Sequence, residues 1–141
     1  MCASELHEKP KKRFRILSWI LVVVWAAIIF GLSAIPGSGF PSHPEALNVI
    51  AHFCLYAAFA VLLTWALSSS KLSLWKVALI ALAIASLYGA SDEFHQVFVP
   101  GRTPDIMDWM TDTIGAFVGT CVVLFIISAQ KVSRSRKRDK E

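Results

Sequence analysis

Charge is scarce in this chain. Asp, Glu, Lys and Arg make up 17% of its 141 residues, where a soluble domain carries about 25%. With 55% of the residues hydrophobic, too little polar side chain is left to cover a soluble surface, and a water-soluble globule is excluded. Cysteine is equally thin. Cys2, Cys54 and Cys121 are odd in number and fall at no disulfide or metal-type spacing. There is no G-x-S-x-G elbow, no Walker loop, and no Cys–His pair at a suggestive spacing. Internal repeats are also missing.

What the chain does have is four long apolar segments, near 16–33, 47–67, 72–89 and 106–127. A hydrocarbon core takes about 20 apolar residues as helix. A lipid-exposed strand could not satisfy its own backbone there. The expected fold is therefore an all-α integral membrane protein, a bundle of four transmembrane helices over 16–127. Basic tails flank it at 1–15 and 128–141, the second expected to be disordered. The first segment lacks a small-residue cleavage site, so it is expected to stay in the protein.

The positive charge is unevenly placed. Lys9, Lys11, Lys12, Arg13 and Arg15 precede the first segment. Lys131, Arg134, Arg136, Lys137, Arg138 and Lys140 follow the last. The second connector carries Lys71, with Lys76 just beyond it, whereas the first has no Lys or Arg and the third has only Arg102. By the positive-inside rule both termini face the cytoplasm and the first and third connectors lie outside. These basic clusters read as topology signals, and nucleic acid is not an expected partner.

In that orientation the polar outliers share one depth. Asn48, His52 and Tyr56 follow one another at i, i+4 and i+8 on the second helix. Asp92, Glu93, His95 and Gln96 close the third, with Asp92, His95 and Gln96 on one face. Asp105, Asp108 and Asp112 share a face of the fourth, with Thr103 and Pro104 expected as its N-cap and first helical residue. Ionisable groups in a bilayer are expensive and usually mark function. Arg102 is expected either to pair with Asp105 or Asp108, or to hold a phosphate or carboxylate with its planar fork. The His and acid ligand types suit a divalent cation, but no H-x-x-x-H spacing sets a geometry, so no metal and no cofactor is expected. Gly115 and Gly119 form a G-x-x-x-G packing face. Its expected partner is the Ala- and Ser-rich third helix, with a homodimer as its other use.

The run Asp92-Glu93-x-His95-Gln96 and Pro100-Gly101-Arg102, followed by Asp108, Asp112, Gly115 and Gly119, resembles the signature of the VanZ-like family. Leu32-Ser33 before Pro36, and Ala51-His52-Phe53 with Tyr56, match it too, so the resemblance covers nearly everything between the tails. Where many relatives have Asn, this chain has Asp112, which adds a carboxylate. The resemblance implies a bacterial cytoplasmic membrane, and the family's founding member is associated with lowered susceptibility to the glycopeptide teicoplanin. Fold-level likeness does not supply a reaction.

The leading expectation is an outward-facing pocket that binds the anionic head of an envelope lipid or cell-wall precursor. Arg102 would hold the anion, His52, His95 and Gln96 would supply hydrogen bonds, and Asp92, Glu93, Asp108 and Asp112 would set the charge. Two other classes stand beside it. One is a hydrolase or transferase acting on a lipid-linked phosphate or ester, with His95 or His52 as general base and Asp92 or Glu93 orienting it. The other is a proton-coupled carrier.

Overall fold

The structure is a computed structural model that describes residues 4–39 and 45–138. Its elements are α1 (Ser4–Ser33), a 3-10 turn at Gly37–Gly39, α2 (Glu45–Ser68), α3 (Leu74–Gln96) and α4 (Ile106–Arg138). Each of the four helices is long and apolar enough to cross a membrane. Their outward faces are hydrocarbon: Leu87 is 71% exposed and Phe125 74%. Apolar faces of this extent on four spanning-length helices suit a lipid surround. This is an all-helical, multi-pass membrane protein.

The interior is built from small residues. Ala60, Ala81, Ala85 and Ala116 are fully buried, with Tyr56, Phe59 and Leu63 filling the space between them. Helices that exclude no water on meeting must gain from close packing, and small side chains allow it. α4 packs on α2 and α3, and α1 packs on α2 and α3. Two tethers hold α1 in place. Trp25 Nε1 donates to the Leu55 carbonyl at 3.0 Å, and the Tyr88 hydroxyl donates to the Ala26 carbonyl at 2.8 Å.

The Gly115/Gly119 face does not meet α3 as the sequence suggests. A Cβ at Gly115 would run into the Phe53 carbonyl of α2, and one at Gly119 into the Ala57 carbonyl. Those two α2 residues are four apart, the same spacing as the glycines, so ridge and groove are in register. Counting Ala and Ser in α3 carried no information about register. A buried Thr64–Thr120 hydroxyl bond at 3.3 Å crosses the same α2–α4 seam. Small residues of α3 do meet α4, but one by one: Gly89 faces Asp112 and Trp109, and the Ser86 hydroxyl lies 3.0 Å from that of Thr113.

The C-terminal segment departs from expectation as well. α4 continues as helix to Arg138, so residues 128–138 are an extension of the last span, not a disordered tail. Lys140 and Cys2 lie outside the described residues.

Candidate functional site

The connectors α1–α2 and α3–α4 meet at one end of the bundle. The Gly37 amide donates to the Pro100 carbonyl at 3.1 Å. A Cβ at Gly37 would strike the Gly101 carbonyl, and Gly101 itself has φ +73°, where an L side chain is strained. Two glycines therefore permit this contact. It places Arg102 so that its Nε donates to the Ile35 carbonyl at 3.3 Å. Among the described residues His52 pairs with Asp108 and with Asp112.

The start of α4 also differs from expectation. Asp105, not Thr103, is the cap. Its Oδ1 accepts the Met107 amide at 2.8 Å, and its carbonyl accepts the Asp108 and Trp109 amides. Helix begins at Ile106, so Pro104 stands before the cap, where a proline biases the residue ahead of it to extended backbone. The Asp105 amide in turn donates to Glu93 Oε2 at 2.7 Å, while Gln96 Nε2 donates to Glu93 Oε1 at 3.1 Å. Glu93 thus fastens the end of α3 to the beginning of α4.

Below this clasp the polar stripes of three helices converge. His52 Nδ1 lies 3.0 Å from Asp112 Oδ1, and its Nε2 lies 3.7 Å from Asp108 Oδ2. Asn48 Nδ2 donates to both Asp108 oxygens, at 3.3 and 3.2 Å. One donor atom each from His52, Glu93 and Asp112 lies within 4.8 Å of the others. Asp112 is 0% exposed. Four buried polar atoms have no hydrogen-bond partner among the described residues: Asp112 Oδ2, Tyr56 Oη, Ser33 Oγ and His95 Nε2. The Trp109 indole, which donates to the Ser86 carbonyl at 3.0 Å, seals the α3–α4 side.

Beside the cluster is a cavity of about 390 Å³. Ile29, Leu32, Leu47 and Leu55 form its apolar wall, and Asn48, His52, Tyr56, Asp92, Gln96 and Arg102 bring polar groups to it. Ser33 joins this lining, a role its position at the end of the first span did not suggest. Four expected members are not in this lining: Glu93, Asp108 and Asp112 stand in the polar cluster beside it, and His95 stands apart. His95 stacks on Phe30 of α1, with ring centroids 4.6 Å apart, so it does not share the cavity face of Asp92 and Gln96. Asp105 is occupied with capping its own helix. A one-residue step along α3 turns a side chain by about 100°, which is why His95 faces α1 while Gln96 faces the cavity.

No curated protein and no solved structure matches the chain significantly. The family model VanZ/LLP1 matches residues 14–128, the whole of the described bundle apart from the first ten residues of α1 and the last ten of α4. The chain is thus a multi-pass membrane protein of the VanZ/LLP1 family.

Proposed function

We propose that this protein binds a membrane amphiphile with an anionic head, an envelope lipid or a lipid-linked cell-wall precursor, in the cavity between α1, α2 and α3. The observation that carries the reading is the two-sided lining. Leu32, Leu47 and Leu55 suit a hydrocarbon chain, while Asn48, His52, Gln96 and Arg102 suit a polar head. Sites of this size and mixture hold small molecules in many proteins. Arg102 is steered by the Ile35 carbonyl, and a guanidinium matches phosphate or carboxylate in two-point fashion. The surrounding acids favour a head group that also carries an amine or a bound cation. With the basic ends of α1 and α4 in the cytoplasm, the cavity lies in the outer half of a bacterial cytoplasmic membrane. An effect on teicoplanin-type susceptibility would follow from holding a precursor there.

Native mass spectrometry of gently extracted protein tests this. A lipid should travel with the wild type and be lost from Arg102→Ala. An identical lipid complement in both defeats the reading.

A second reading, a hydrolase or transferase of lipid-linked phosphates or esters, draws on the His52–Asp112 pair at 3.0 Å. A carboxylate that orients an imidazole is the arrangement of a general base. In this reading His52 is the base rather than His95, which is engaged with Phe30. Turnover of polyprenyl phosphates by wild type but not by His52→Ala would support it.

A further inference from the structure

We propose that His52, Glu93 and Asp112 bind a divalent transition-metal cation of the zinc type between α2, α3 and α4. The sequence offers ligand types that suit a divalent cation but no geometry for one, because the three residues lie on separate helices and form no motif. Folding brings one donor atom from each within 4.8 Å of the other two. In a tetrahedral zinc site with bonds of about 2.0–2.2 Å the ligand atoms sit roughly 3.3–3.6 Å apart, so the widest separation closes by about 1 Å when the ion binds. The 3.0 Å between His52 Nδ1 and Asp112 Oδ1 is already close to that spacing.

A second observation points the same way. Asp112 is completely buried, and its Oδ2 has no hydrogen-bond partner among the described residues. That oxygen faces α3 at Gly89, where an added Cβ would stand only 3.2 Å from it. Gly89 lies one turn before Glu93 on the same helix face, so the unsatisfied oxygen is directed to the side from which Glu93 approaches. A buried carboxylate with an idle oxygen is costly. A cation satisfies it.

The remaining groups fit as supports. With the ion at Nδ1, His52 Nε2 keeps its Asp108 contact at 3.7 Å, and Asn48 fixes that carboxylate from the other side. A carboxylate behind a ligating imidazole sets its tautomer and orientation. The Glu93 oxygens accept from Gln96 and from the Asp105 amide, and each oxygen retains a lone pair for a metal. A nitrogen donor with two carboxylates favours zinc-type ions over calcium or magnesium, which take oxygen ligands. A protonated His52 bridging Asp108 and Asp112 would explain the ion pairs without a metal, but it leaves Asp112 Oδ2 unanswered.

Metal content decides between these accounts and requires no lipid, so the result is independent of the cavity's ligand. Protein carrying a tag without histidine is loaded with zinc in detergent, dialysed, and analysed by elemental mass spectrometry. The wild type and His95→Ala should retain a single zinc per chain. His52→Ala, Asp112→Asn and Glu93→Gln should fall to background, and cobalt in place of zinc should give a visible ligand-field band only in the first two. Zinc should raise the unfolding temperature of the wild type, and a chelator should reverse it, a readout that needs no variant to fold. Wild type that dialyses free of metal overturns the proposal, as does full retention by the three variants.

Discussion

His52 on α2 and Asp112 on α4 stand 60 residues apart in the chain and 3.0 Å apart in the fold. The pair crosses the tightest seam of the bundle. Truncating one partner leaves the other buried in a water-poor interior. Removal of a buried charge partner costs about 3–5 kcal/mol. His52→Ala and Asp112→Ala should each lower the unfolding midpoint in detergent sharply. The double variant should recover part of the loss, with a coupling on the order of 1–3 kcal/mol in a double-mutant cycle.

Gly119→Leu should separate α2 from α4, because even a Cβ there meets the Ala57 carbonyl. The expected loss is on the order of 3 kcal/mol or more, read as failure to elute as a monodisperse species. Gly31→Ala is the control. Nothing lies within 4 Å of that position, and its stability should be unchanged or slightly raised.

Gly101→Ala places a side chain at φ +73°. The left-handed conformation costs an L residue about 1–2 kcal/mol. The bundle should remain folded, but Arg102 should lose its setting against the Ile35 carbonyl. Ligand retention should therefore drop further than thermal stability, and a parallel fall in both would tell against this account.

Tyr88→Phe and Trp25→Phe each remove one tether of α1. A neutral hydrogen bond contributes about 1 kcal/mol. Each variant should show faster hydrogen exchange or proteolysis at α1 while α2–α4 stay protected. The packing of α1 makes this selective: it touches α2 and α3, and no α1–α4 packing is present among the described residues.

The four spans were legible because a long apolar run has only one inexpensive backbone solution in lipid. The convergence of His52, Asp108, Asp112 and Glu93 was legible too, since alternating helices return their like-placed ends to the same depth. Rotation about each helix axis was not. His95 and Gln96 are neighbours in sequence, yet one stacks on Phe30 and the other lines the cavity. The partner of Gly115 and Gly119 was hidden for the same reason, because composition says which helices can approach closely and not which faces interlock. The cap at Asp105 was obscured by Pro104, which looks like a helix start from sequence and stands outside it in the fold. Glu93 as a clasp on the Asp105 amide had no local signature, since its partner belongs to another element.

α4 has 33 residues, which at 1.5 Å per residue is about 50 Å of rod against a hydrocarbon slab of about 30 Å. With the apolar part of α4 in the slab, the surplus continues it as helix beyond the hydrocarbon, and its last turn carries Arg136, Lys137 and Arg138. Anything joined there, a fluorescent reporter included, would be carried at a defined distance from the lipid surface and would turn with the bundle instead of swinging on a tether.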